Sequence, residues 1–593
     1  MQAPLRSDLL LWAGILLLAI TLLALRAHQV GSGQPLFADN DDAMRMVVVR
    51  DFLNGQNWSD HTQYRLNTPF GADMHWSRLI DLPIALLVLL ARPFAGSQGA
   101  EIAAGYIWPM LLLALFTWLN GRLALRLVGR QGVLPAMLLP VFSVVTFSEF
   151  DFGRIDHHSV QFILAQLTVL ASLHALSRPY QALWAGLAAA TSLAIGTESL
   201  PIVVSAILVF GVLFVASPDH NAAVRNFGLA FGLGTLIHLG LALPPALWFV
   251  PACDANSIVY AMAALGAGLG LAGLTLLPLH RAGWPLRLAA AIPAGAAVLV
   301  LVGALFPHCL SGPYAGVDPW LVERWLSRVG EALPLLAALV RQPFYVVSAT
   351  IPAAIALAAT LCAAWQARGE KRAAWLIMLA FFAVAMAVAF IQVRGLRLSL
   401  AFVGPAGAWL ILAARAHYLR HASPASIVGL AGAWLSLTGL LWAALVNLAL
   451  TTIPAAATFA AGPASANTCL VPAAYADLAG LPPERIMTPH DMGAFMLLYT
   501  PHAVVSAPYH RNNQGLLDTY RFFNGPIAAA RGILQARGIT LVVTCDPMPE
   551  MDGQPDAAPD SFVRLAPTGA LPDWLENVST PGPLNVYQVR PGP

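Results

Sequence analysis

The chain is dominated by apolar runs long enough to cross a membrane, separated by short loops that alternate in charge. The runs fall near Leu9–Leu25, Ile102–Leu125, Gly132–Ser148, Ser159–Leu176, Ala182–Ile195, Pro201–Val215 and Phe227–Val250, then Val259–Leu279, Leu288–Leu305, Tyr345–Trp365, Ala373–Ile391, Leu398–Ala414 and Ile427–Leu450. A helix needs about 20 residues to cross the hydrocarbon layer, so the pattern predicts a polytopic α-helical membrane protein of about 13 transmembrane helices. Of the 593 residues, 58% are hydrophobic and only 10% charged, whereas a soluble domain carries about 25% charged residues. The net charge of +2 comes without a basic stripe or interleaved aromatic platform, so no nucleic-acid partner is expected. Leu9–Leu25 lacks a small-x-small cleavage site before Phe37 and reads as a retained first helix.

One set of loops holds Arg122, Arg126 and Arg130; Arg178; Arg225; His280, Arg281 and Arg287; Arg368, Lys371 and Arg372; and Arg415 and Arg420. The other set holds Asp39-Asn40-Asp41-Asp42, Asp156, Glu198, Asp254 and the long loop 306–344. Excess Lys and Arg marks the cytoplasmic side, so the N-terminus is expected inside and the acidic loops and tail outside. The expected setting is a bacterial inner membrane, with the tail in the periplasm or outside the cell. The apolar run Leu82–Leu90 is too short to span and reads as a surface or re-entrant helix, which makes 26–101 a long first external loop.

Residues 1–450 thus form the membrane domain. An Ala/Gly/Pro/Thr-rich linker follows at 451–467, and 468–593 reads as an external α/β domain. Its strand signals are Ala503–Ala507, Thr540–Thr544 and Asn585–Val589, with a helix near Pro526–Arg537. No internal repeat is evident, which weighs against an inverted-repeat transporter. Cys362 lies within a span, while Cys253, Cys309, Cys469 and Cys545 fall outside. Cys253–Cys309 and Cys469–Cys545 are the simplest disulfide pairing in an oxidising compartment, although spacing does not prove it.

Two polar clusters stand at membrane edges on the acidic side. Gly153-Arg154-Ile155-Asp156-His157-His158 lies between two apolar runs, where burial in lipid would be costly, so its side chains must face water, a partner or a metal. Asp156 and His158, two apart, can point at one ion; carboxylate and imidazole suit Mg²⁺ or Mn²⁺, the histidine favouring Mn²⁺. The alternative is a polar loop that happens to contain histidines. In the first cluster Asn40 can cap a helix running to about Phe52, with Asp41 and Asp42 in its first turn. An ordinary N-terminal turn accounts for Asp42, but not for acids meeting Asp156 on the same side.

Asn40-Asp41…Arg50-Asp51, followed by Gly153-Arg154-Ile155-Asp156-His157-His158, resembles the catalytic subunit of oligosaccharyltransferase, the single-chain bacterial and archaeal type of GT-C fold. That resemblance implies metal ligands at Asp41, Asp156 and His158. The family's Thr-Ile-x-Glu in the long external loop is matched most nearly by Arg328-Val329-Gly330-Glu331, implying Glu331 as a further catalytic and metal-binding acid; otherwise Glu331 is a surface carboxylate beside Arg328. Arg394-Gly395-Leu396-Arg397 resembles the family's Gly-Leu-Arg, whose arginine binds the lipid diphosphate. Planar paired donors suit a phosphate, and a snorkelling arginine is the alternative reading. For the family's Trp-Trp-Asp-x-Gly, which reads the acceptor hydroxyl, this chain has Pro489-His490-Asp491-Met492-Gly493, keeping Asp and Gly without the tryptophans. His490, Asp491, and His510 and Arg511 in the polar run Tyr509–Asn512, are the expected substrate-binding residues of the tail.

The reading is a metal-dependent, inverting transfer of a sugar or oligosaccharide from a polyprenyl-(di)phosphate donor on the external face to a protein, glycan or lipid acceptor. One alternative is a GT-C enzyme using a polyprenyl-monophosphate sugar, which needs no sequon reader. The other is a transporter or flippase of lipid-linked saccharide. Its charges would be expected near the bilayer midplane rather than in loops on one side.

Overall fold

The computed structural model describes residues 6–31, 33–452, 467–546, 551, 554 and 556–590. The linker expected at 451–467 falls almost wholly on 453–466, outside the described residues. Among the described residues, seven helices are long and apolar enough to cross a membrane, or nine if each of two bent pairs is one span. Three shorter apolar helices accompany them: Leu9–Ala24, Gln181–Ile195 and Ile258–Leu274. Lipid supplies no hydrophobic drive between helices, so close packing must hold the bundle. The helices Asn221–Ala242 and Ile258–Leu274 meet at Gly228 and Gly268, where a Cβ would lie 2.4 and 2.3 Å from the opposing carbonyl oxygen.

α1 (Arg6–Gly31) leads into the first loop, where α2 spans Asn40–Leu53. The cap of α2 is Asp39, not Asn40. Asp39 is extended (φ −107°, ψ 148°) and its carboxylate accepts the Asp41 N–H at 2.9 Å. α3, Arg78–Leu127, is interrupted at Gly96 (φ 67°), which turns a surface segment into a span. The break therefore lies at Gly96 rather than at Glu101. Leu82–Leu90 lies on the first segment, which buries Ile80, Ile84, Ala85 and Val88 and turns Leu86, Leu89, Leu90 and Phe94 outward.

The first loop carries a two-stranded ribbon, β1 (Thr62–Gln63) antiparallel to β2 (Ala72–Asp73), and the C-terminal domain a five-stranded sheet that runs from Ala503–Val504 at one edge to Leu575–Asn577 at the other. β3 (Arg485–Met487) lies parallel to β4 (Ala503–Val504) and β5 (Leu541–Cys545), and β7 (Leu584–Val589) runs antiparallel to β5 and to β6 (Leu575–Asn577). Both expected disulfides form, Cys253–Cys309 and Cys469–Cys545.

The first loop is built into this domain. Val504 exchanges backbone hydrogen bonds with Arg65 (2.8 Å) and Thr68 (3.0 Å), adding a rung to the sheet edge. The Arg65 guanidinium donates to the carbonyls of Leu497 and Thr500, satisfying the end of the helix His490–Tyr499. That helix packs on α2, so the domain sits over the acidic end of the bundle.

Candidate active site

A broken span builds the centre of the site. The helices Arg130–Phe142 and Val144–Phe150 meet at 74°, because Ser143 leaves helical geometry and its hydroxyl caps the second helix through the Thr146 N–H. The chain then turns through Asp151–His157 into the helix His158–Ala175. Gly153 takes φ 87°, and a Cβ there would lie 2.0 Å from the Leu36 carbonyl oxygen. Only glycine lets this turn press against the segment entering α2.

Asp42 fastens the two clusters together. Its Oδ1 accepts the backbone N–H groups of Ile155 (2.8 Å) and Asp156 (3.0 Å), and its Oδ2 accepts from Arg154 at 2.7 Å. Burial pushes the Asp42 carboxyl up to about 7, with the Arg154 charge pulling the other way. Arg154 also reaches Asp39 at 3.1 Å.

Asp156 is buried. Its Oδ1 accepts the His157 backbone N–H (2.6 Å) and faces the His157 ring nitrogen, with Arg45 3.6 Å away. Its Oδ2 lies 3.2 Å from His158 Nε2 yet completes no hydrogen bond. Burial opposes ionisation of Asp156, but His157, His158 and Arg45 outweigh it and hold the carboxyl well below its usual range. Ligand atoms of Asp156, His157 and His158 lie within 4.8 Å of one another. Burial, and then the charge of Asp156, push the Asp41 carboxyl well above its usual range, with Asp39 and Glu331 adding to the effect. Arg45 is itself held by Asp81 (2.9 Å) and stacks on Trp76 at 4.2 Å.

From this centre an alternating chain of charges runs to the helix Gly395–Arg420. His158 Nδ1 meets Glu198 at 3.2 Å, and Glu198 pairs with Arg394. Glu331 lies between Arg394 (3.3 Å) and Arg397 (2.9 Å), and Arg397 Nε forms an ion pair with Glu149 at 3.0 Å. Asp39, Glu149, Arg154, Glu331, Tyr345 and Arg397 line a polar cavity of about 310 Å³.

The tail reaches the site through Tyr509, whose hydroxyl donates to the Asn40 carbonyl at 2.9 Å and whose ring meets Trp76 edge-on. Burial and the neighbouring acids Asp41, Asp39 and Asp156 push the Tyr509 phenol well above its usual range, so it stays protonated. Asp491 is half exposed and lies 3.5 Å from His490, which is buried against Trp325 and Tyr520. His510 and Arg511 both engage Asp254, at 2.6 and 2.7 Å.

The structure thus links Asp156, His158, Glu331, Arg394 and Arg397 through ion pairs at one end of the bundle, and Asp41 lies near enough to feel the charges of Asp156 and Glu331; among the described residues the group of ligand atoms within 4.8 Å holds Asp156, His157 and His158 but neither Asp41 nor Glu331. Asp491 and His490 lie on the flanking tail helix, and His510 and Arg511 on the loop behind Tyr509. Sequence reasoning missed Asp42 as the fastener, Arg45 and Glu149; it had His157 only as part of the Gly153–His158 cluster and Glu198 only as one of the acidic loops, without a role for either. Glu149 and Glu198 did carry a signal: each is an acid at the head or foot of a span on the acidic side.

The fold matches that of solved archaeal oligosaccharyltransferase structures. The archaeal oligosaccharyltransferase AglB of Archaeoglobus fulgidus, solved with an inhibitory peptide and a dolichol-phosphate, matches with a TM-score of 0.65 over 98% of this chain and 74% of that chain, at 11% identity. The Archaeoglobus fulgidus oligosaccharyltransferase in its apo form gives 0.63 over 91% and 69%, at 11% identity. Its complex with Zn and sulfate gives 0.57 over 86% and 64%, at 13% identity. At these identities the likeness is one of fold. No protein-family model matches the sequence, and no curated protein matches it.

Proposed function

We propose that the chain is a membrane glycosyltransferase that takes a sugar or oligosaccharide from a polyprenyl-(di)phosphate donor at the external face, with inversion at the anomeric carbon. What supports this reading is the run of ion pairs from Asp156 and His158 through Glu198 to Arg394, Glu331 and Arg397, with Asp41 near enough for the Asp156 charge to raise its carboxyl, within a fold shared with oligosaccharyltransferase. Counting the short apolar helices and His158–Ala175 as spans gives about 13 crossings of the bilayer. The N-terminus is then cytoplasmic and the tail domain periplasmic or extracellular.

The residues fit a divalent cation, Mn²⁺ or Mg²⁺. Asp156 Oδ2 is buried without a hydrogen bond, and Asp41 and Asp156 crowd like charges into one place, so a positive charge would relieve both. Asp41, Asp156 and His158 would hold it, with Glu331 and His157 within the same network. A cation bound there supplies Lewis-acid stabilisation of the departing phosphate. Arg397 and Arg394 present guanidinium donors to that phosphate and neutralise its growing charge. Glu331 holds the two arginines apart, and Asp41 orients the acceptor nucleophile. Tyr509 closes the site from the tail side and excludes water. Asp491 offers an acceptor oxygen to the incoming substrate, with His490 behind it and the His510–Arg511 loop as the further edge of that surface.

A second reading, a polyprenyl-monophosphate sugar donor with a glycan or lipid acceptor, is favoured by one observation. His490 stands where the family keeps tryptophan, and it is buried against Trp325 and Tyr520 rather than open to a peptide.

The test is to compare lipid-linked saccharides and glycoconjugates in cells with and without the gene. Accumulation of one lipid-linked saccharide, reversed by wild type but not by Asp156→Ala, is expected. Unchanged pools of both would contradict the reading.

A further inference from the structure

A second cluster of metal-binding side chains lies apart from the site above, where the chain's external segments meet. His75 comes from the first loop just after β2 (Ala72–Asp73), Asp254 from the loop before the helix Ile258–Leu274, and His510 from the tail domain. One ligand atom from each lies within 4.8 Å of the other two. The two imidazole rings are 4.6 Å apart between centroids, and His510 Nε2 lies 2.6 Å from Asp254 Oδ2. His75 Nδ1 is buried and makes no hydrogen bond. An imidazole nitrogen sealed from water without a partner calls for an explanation, and a ligand is one.

We propose that His75, Asp254 and His510 form a second metal site, structural in role and of the Zn²⁺ class. Two imidazoles and a carboxylate are a zinc donor set, leaving a fourth position for water. The surrounding charge permits a cation. Arg511 is shared by Asp254 and Asp73, so two carboxylates face one guanidinium. Arg511 Nη2 donates to Asp254 Oδ1 at 3.0 Å, which leaves Oδ2 for the ion once Arg511 Nε, now 2.7 Å away, gives way. Ligating carboxylates are held by outer hydrogen bonds of this kind.

The site's position gives it a purpose. The Cys253–Cys309 disulfide anchors the Asp254 loop to the 306–344 loop, and Tyr314 of that loop meets His510 edge-on at 5.3 Å. An ion here would pin the tail domain, the first loop and the membrane bundle together. Such a site would hold these segments together whether or not the chain transfers sugars.

Purified full-length protein in detergent, stripped by chelator and reloaded with Zn²⁺, tests it by elemental analysis after free metal is removed. His75→Ala should hold one zinc fewer per chain than wild type. In the Asp156→Ala background, which weakens the other candidate site, zinc should raise the thermal midpoint and His75→Gln should abolish that rise. X-ray absorption of the loaded Asp156→Ala protein should show nitrogen and oxygen neighbours at about 2.0–2.1 Å with imidazole scattering. Equal zinc in wild type and His75→Ala, or a zinc-induced rise unaffected by His75→Gln, would overturn the proposal and leave an Arg511–Asp254 ion pair alone. Loss of a zinc in His75→Ala with none lost in His158→Ala would sustain this site while counting against the metal in the proposed active site.

Discussion

Asp42 on the first-loop helix accepts the backbone N–H of Asp156 at 3.0 Å, joining two acidic clusters more than a hundred residues apart in sequence. The Asp39–Asp42 cluster thereby divides its work. Asp39 caps the helix and Asp42 fixes the turn that carries Asp156, while Asp41 is the acid proposed for chemistry. Asp42→Ala strips the half-buried Arg154 of its nearest charge partner and leaves two buried backbone donors unsatisfied. Breaking such a pair costs about 3 kcal/mol or more. Thermal or denaturant unfolding should show that loss, and Asp42→Asn, which keeps one acceptor, should lose less. A variant as stable as wild type would show that the fastening is immaterial.

Arg397 forms ion pairs with Glu331 through Nη1 (2.9 Å) and with Glu149 through Nε (3.0 Å), so its guanidinium lines the cavity flanked by a carboxylate on each side. Lysine keeps the charge but not the planar fork. Arg397→Lys should therefore lower transfer about 10- to 100-fold and Arg397→Ala more, as removal of a transition-state donor costs roughly 10²–10³-fold. Donor-dependent kinetics on the two variants decide it. Equal activity in wild type and Arg397→Ala would remove this residue from the phosphate site.

The charged loops carry the proposed membrane orientation. A reporter fused after Arg372 or Arg420 should be cytoplasmic, and one after Thr452 external. The ion pair between Arg126 and Glu370 already joins two loops expected on the cytoplasmic side. An external signal after Arg372 would put the acids in the wrong compartment.

His490 is buried against Trp325 and Tyr520, and burial holds its imidazole below the ordinary value of 6.5 despite Asp491. The folded chain keeps His490 neutral where the unfolded chain takes up a proton. Its contribution is thus full above pH 6.5 and lost as pH falls toward the depressed folded value. The thermal midpoint should fall between neutral pH and about pH 5, less steeply in His490→Gln. Identical slopes in the two proteins would contradict this.

The membrane helices were legible because apolar runs of span length say where they must be, and the arginine loops say which ends share a side. The two disulfides matched the simplest pairing of the four cysteines expected outside the spans. The strands β3 (Arg485–Met487) and β6 (Leu575–Asn577) were not legible, being too short for alternation to register. In the site, Asp41, Asp156 and His158 stood out as charges beside apolar runs. Arg45 and Asp42 did not, because their partners Asp81 and Ile155 lie far off in sequence and only tertiary packing brings them near. The cap fell on Asp39 rather than Asn40 because either side chain can accept a helix N–H, and local sequence does not choose between them.

The central claim is tested most directly by transfer in a purified system. Full-length protein in lipid nanodiscs would be given radiolabelled lipid-linked saccharides extracted from membranes of its own source cells, with membrane extract as acceptor and Mn²⁺ present. The account predicts that the label leaves the lipid for the acceptor. That loss should stop with chelator, return with Mn²⁺, and be absent in Asp156→Ala. A lipid-linked pool left intact by wild type, or consumed equally by Asp156→Ala, would contradict it.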